Sequence, residues 1–192
     1  MPIDIELSEV SAGGVLVANR EWTQKAKRHL EAAVEASLAS RRTRLRHLPA
    51  LAEDVVADPE IAQLVKLHGA VGFSIQIHQF PSPHQLPGKQ GGFSWTLGDG
   101  VAPLRGRTGA DYALFILVRD SYASGSRKAA MVVGAIFGVA VEGGRQTGMA
   151  SLVDLKTGDV VWFNLLNRDV GDLREAGPAE ESVAALLANF PK

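Results

Sequence analysis

Seven consecutive residues, Tyr112-Ala113-Leu114-Phe115-Ile116-Leu117-Val118, contain no charged side chain and only one polar atom, the tyrosine hydroxyl. A strand at a sheet edge, or with one wet face, alternates apolar and polar residues; an unbroken apolar run instead needs cover on both faces. The run therefore reads as the central strand of a layered structure, with Arg119-Asp120-Ser121 marking its exit.

The segments around it supply the cover. Ile3, Ile5 and Leu7 alternate as one face of a first strand. From about Glu21 to Ser40 an alanine-rich segment places Trp22, Ala26, Leu30, Val34 and Leu38 at intervals of four, one buried helical stripe. Asp58-Pro59 has the form of a helix cap followed by proline in the first turn. Ile61, Leu64, Val65, His68, Val71 and Ile75 then continue an apolar face toward Gln79. Met149, Ser151, Val153 and Leu155 alternate before Lys156-Thr157-Gly158-Asp159, and Val160 to Leu166 resumes the pattern, which predicts a hairpin with an exposed connection. On its return strand Trp162 and Phe163 face opposite ways. Pro178, Val183, Leu186, Leu187 and Phe190 predict a closing amphipathic helix.

The expectation is a single α/β domain over 1–192, with a mixed sheet, a C-terminal β-hairpin and a closing helix; 46% hydrophobic residues are ample for one core at this length. Ala129 to Val141, the longest uncharged apolar run, is 13 residues long and too short to span a bilayer as a helix. It reads as a buried helix in which Gly134 and Gly138 permit close contact, with a buried strand pair as the competing reading. Pro81 to Gly100, with three prolines and five glycines, is the main irregular element.

Composition limits function. The net charge of −1 gives no overall field to attract nucleic acid or an anionic membrane, and the absence of cysteine removes thiolate ligands, cysteine nucleophiles and disulfides. Gly88-Lys89-Gln90-Gly91-Gly92 lacks the phosphate-loop pattern, and His78 and His84 match no compact metal motif, so no cofactor and no metal are expected.

Two sets of side chains remain as site candidates. Phe93 and Trp95 sit in a segment without Asp or Glu between Pro81 and Leu97, where aromatic rings offer contact area to the domain or to a partner. Arg42, Arg44 and Arg46 would share one face of a short strand, a solvated or protein-facing basic surface with no recognition helix or aromatic platform for specific nucleic acid. The competing chemistry is hydrolytic: Asp120 and Ser124, with a histidine such as His78, would form a catalytic set if the fold brought them together. No glycine-flanked serine elbow supports it.

Ala110-Asp111-Tyr112-Ala113-Leu114-Phe115, followed by Ala150-Ser151-Leu152-Val153-Asp154-Leu155-Lys156-Thr157-Gly158-Asp159-Val160-Val161-Trp162, resembles bacterial envelope lipoproteins related to the curli-secretion channel subunit and to penicillin-binding-protein activators. The likeness covers about thirty residues and is a structural hairpin signature. It implies a periplasm-facing α/β interaction domain that binds a protein partner or assembles as a homo-oligomer. Those relatives act by binding or assembly, so no catalytic residue carries over. Membrane association would follow only from an N-terminal anchor removed from the chain, because the anchoring cysteine is absent here.

Overall fold

The computed structural model describes residues 1–41, 58–80, 83–138, 140 and 143–191. Arg42, Arg44 and Arg46 lie outside the described residues, as do Pro81, Val139 and Val141.

In chain order the elements are β1 (Asp4–Val10), β2 (Leu16–Ala18), α1 (Arg20–Ser40), α2 (Pro59–His78), α3 (Ala102–Thr108), β3 (Tyr112–Ala123), α4 (Gly125–Ile136), β4 (Gln146–Asp154), β5 (Val160–Arg168) and α5 (Ala176–Leu186). The sheet order is β2-β1-β3-β4-β5, with β3 parallel to β1 and antiparallel to β4. This is the α/β class expected, and the apolar run occupies the middle strand.

Strand alternation splits the core between two helical layers. Ile116 and Val118 join Leu7 and Ala150 beneath α1 and α5, while Ala113 and Phe115 join Val153 and Val160 beneath α2 and α3. Trp162 packs with the first set and Phe163 with the second, so the two faces of β5 serve different layers. The helices start where their caps place them. Asn19 Oδ1 accepts from Trp22 N at 3.1 Å, and Asp58 Oδ1 accepts from Glu60 N at 3.0 Å and Ile61 N at 3.3 Å.

Three expectations need correction. Strand β3 does not leave the sheet at Arg119-Asp120-Ser121 but continues to Ala123, with Asp120 opposite Leu7 on β1 and Gln146 on β4. A carboxylate is tolerated there because Asp120 accepts from Ser121 N, Tyr122 Oη and Gln146 Nε2.

Over its described residues the Ala129–Val141 run is not a buried helix. Helix α4 begins earlier, capped by Ser124, ends at Ile136, and has no buried residue. Among the described residues its inner side is held by Arg127 Nη1, which donates to Ala12 O at 3.2 Å, and by Met131, which lies against Gly143. Gly138 ends the helix in the left-handed region (φ 70°) with open space around it, so it serves termination rather than close packing.

Residues 83–100 are irregular, as expected, and are anchored on the domain. Trp95 O accepts from Val160 N and Gly158 O accepts from Leu97 N, both at 2.8 Å, so this stretch adds a short antiparallel bridge beside the hairpin.

The third correction follows from that anchoring. The hairpin connection is exposed at Lys156, Thr157 and Asp159, but Gly158 is buried beneath Gly98.

Candidate functional site

The end of the sheet where β3 and β5 finish and β4 begins carries the densest polar chemistry. Residues two apart on a strand share a face, so Asp120 and Tyr122 point together toward the α1/α5 layer, and Tyr122 Oη donates to Asp120 Oδ2. Gln146, directly across the β3–β4 pair, donates its Nε2 to Asp120 Oδ2 at 3.0 Å and accepts from Ser182 Oγ of α5 at 2.8 Å. Arg168 Nη1 donates to Ser182 Oγ at 3.1 Å, while its Nη2 pairs with Glu181 at 3.0 Å. Tyr122 Oη also accepts from Leu173 N at 2.8 Å, and the Arg174 guanidinium stacks 4.1 Å from the Tyr122 ring centroid and 4.5 Å from that of Trp22.

Burial raises the Asp120 carboxyl above the ordinary aspartate range, against the pull of its Tyr122 and Gln146 hydrogen bonds. Burial and the neighbouring Asp120 likewise raise the Tyr122 phenol. The network is closed: every acceptor position just named is met by a donor, which suits a rigid floor better than a reacting centre. Above it opens a cleft of about 720 Å³, walled by the end of β3, residues 143–146, residues 168–171 and the Lys128 and Met131 side of α4.

The hydrolytic set is not assembled. Asp120 is committed to that network. Ser124 Oγ caps α4 by accepting from Arg127 N at 3.0 Å, and His78 Nδ1 meets His84 O at 2.7 Å at the end of α2, across the sheet from Asp120. His68, also on α2, is buried against Ser151. Among the described residues no group of three or more His, Asp or Glu side chains is placed to hold a metal ion.

Phe93 and Trp95 both contact the domain. Trp95 Nε1 donates to Gln79 Oε1 at 2.7 Å with Lys89 Nζ 4.3 Å above its ring, and Phe93 lies 6.4 Å from the Phe163 ring while remaining 42% exposed. Arg42, Arg44 and Arg46 were placed on one strand face by their alternation, and that placement lies outside the described residues.

The larger surface feature is one that sequence reading turned inward. On α4, Val132 is 63% exposed, Val133 53% and Ile136 75%, and Phe137 just beyond is 77% exposed. With the exposed Ala129, the first three fall at i, i+3, i+4 and i+7, one continuous helical stripe. The available signal was the uncharged run itself, which fits an outward apolar face as well as an inward one.

Fold and site together define an α/β domain with a closed polar network at one sheet end and an uncovered apolar helix beside it. No family model, curated protein or solved structure matches the chain.

Proposed function

We propose that the protein is an interaction or assembly domain of the bacterial envelope that docks a protein partner through α4. The observation that carries this reading is the α4 stripe of Ala129, Val132, Val133 and Ile136, continued by Phe137. A helix of a globular domain ordinarily turns such a stripe to its core, and contiguous apolar surface left in water marks a docking site. Spacing i, i+3, i+4, i+7 is that of a helix laid into a partner's groove. Covering each large side chain would contribute about 1.5–3 kcal/mol before the costs of association.

The envelope setting and the assembly role are supported by the lipoprotein resemblance over Ala110–Phe115 and Ala150–Trp162, stretches that fall at β3 and at the β4–β5 hairpin beside it. A hydrolytic role draws no support from Asp120, Ser124 and His78, whose hydrogen bonds go to separate partners.

The test is recovery of the protein from cells under native conditions, with native mass spectrometry of the wild type and of a Val132→Ser/Ile136→Ser variant. The wild type is expected in a larger complex and the variant alone, with urea midpoints nearly equal because both side chains are exposed. A complex that survives the double substitution, or a wild type always recovered as a monomer, overturns the reading.

A further inference from the structure

We propose that the cleft at the β3–β4–β5 end of the sheet binds a small oxyanion, a carboxylate or phosphate group, through Lys128 and Arg145. The inference is independent of the docking reading, because Lys128 and Met131 border the cleft while Val132, Val133 and Ile136 form the separate exposed stripe.

Three cations from three different elements line this one cleft: Lys128 from α4, Arg145 from the residue before β4, and Arg168 from the end of β5. A charged run on one solvated helix face would not produce that convergence. Arg145 is held by its backbone, whose N donates to Ser121 Oγ at 3.0 Å and whose O accepts from Ser121 N at 3.2 Å. Its Nε donates to Asn167 Oδ1 at 2.9 Å, which orients the guanidinium and leaves Nη1 and Nη2 uncommitted among the described residues. Lys128 also has no partner among the described residues. Two cationic groups therefore stand ready for a ligand, whereas Arg168, half-buried, is committed through Nη1 to Ser182 and through Nη2 to Glu181.

Among the described lining residues the opposing charges are fewer or spent. Asp120 is 4% exposed and accepts hydrogen bonds from Ser121, Tyr122 and Gln146, so it belongs to the floor. Asp169 stands exposed among the lining residues.

The wall is preformed. A Cβ at Gly144 would lie 2.1 Å from Ser121 O, so the 143–146 segment presses directly on β3. A cleft of about 720 Å³ falls within the usual range for small-ligand sites. Charge-assisted hydrogen bonds from a guanidinium and an ammonium are the interactions that select carboxylate and phosphate oxygens.

The experiment is a titration of the ¹⁵N-labelled protein with inorganic phosphate and, separately, with succinate, at ionic strength held constant with chloride, following the amides of Gly143, Gly144 and Gly171. Saturable shifts at these amides with either probe are expected. Lys128→Gln and Arg145→Gln should each raise the apparent Kd at least about tenfold. Lys156→Gln, an exposed charge removed from the hairpin, should leave it unchanged. Saturation with phosphate alone assigns a phosphate site and with succinate alone a carboxylate site. No saturable shift with either probe, the same shift with chloride alone, or equal weakening by Lys156→Gln overturns the proposal. The Val132→Ser/Ile136→Ser variant should still bind the probe, so loss of docking and loss of anion binding are read separately.

Discussion

His68 Nε2 lies 2.9 Å from Ser151 Oγ, and the His68 ring stacks on Phe115 with centroids 5.1 Å apart, so α2 is joined to β4 by one buried polar contact set in an apolar interface. The imidazole is 2% exposed, and burial pushes its pKa down from 6.5 to about 4.

That shift makes folding pH-dependent. The native state favours neutral imidazole, whereas the unfolded chain takes up a proton near pH 6.5, so the contribution of His68 is fully present above pH 6.5 and declines as pH falls toward 4. The full difference is about 3 kcal/mol. Asp120 acts in the opposite sense, because a carboxyl raised in the folded state binds its proton there more readily than in the unfolded chain. Urea unfolding at pH 7.5 and 4.5 should show lower stability at the acid value, and His68→Asn should reduce that difference while lowering stability at pH 7.5. An unchanged slope in His68→Asn would assign the pH dependence elsewhere.

Gly158 is required by its surroundings. Its φ is 78°, and a Cβ there would stand 2.3 Å from Gly98 O and 2.8 Å from Gly98 C, both backbone atoms that cannot step aside. Gly158→Ala should cost on the order of 2 kcal/mol or more, combining left-handed strain with loss of the bridge between residues 96–98 and the hairpin. Gly88→Ala, with open space at its Cβ, is the matched control and should be near neutral. Equal thermal midpoints for the two variants would contradict the close approach.

Trp162 contributes to stability through the α1/α5 layer. Its ring meets Phe190 edge to face at 5.1 Å, but the side chain is only partly buried. Trp162→Ala should therefore cost about 2 kcal/mol, below the 3–5 kcal/mol of a fully buried ring. Denaturant titration measures this directly, and an unchanged midpoint would move Trp162 from packing to partner contact.

Gln79 organises the segment after α2. Its Nε2 donates to Lys89 O at 3.2 Å and to Gly92 O at 3.3 Å, and its Oε1 accepts from Trp95 Nε1 at 2.7 Å. Losing these bonds, each worth about 1 kcal/mol net, should raise local opening of residues 83–95 by about tenfold or more. Limited proteolysis of Gln79→Ala should cut this segment faster while the global unfolding midpoint moves little. Cleavage at the wild-type rate would mean that the backbone bridge to Gly158 alone holds the segment.

The sequence by itself determined the elements whose signal is local. The four-residue stripe from Ala26 to Leu38, the Asp58-Pro59 cap, the apolar run from Tyr112 and the opposed faces of Trp162 and Phe163 follow from helix and strand periodicity, which adjacent residues fully express. Tyr122 was also within reach, since a residue two beyond Asp120 on one strand must share its face. Tertiary structure alone decided what lies over each face. Periodicity shows that Val132, Val133 and Ile136 form a side of a helix, but exposure depends on whether another layer covers that side, and none of the described residues does so closely enough to bury it. The Asp120 network was equally hidden, because its partners Gln146, Ser182 and Leu173 arrive from β4, α5 and the loop between β5 and α5. Hydrogen bonding acts over about 3 Å of space whatever the separation along the chain, so only the folded arrangement could join those groups into one network around Asp120.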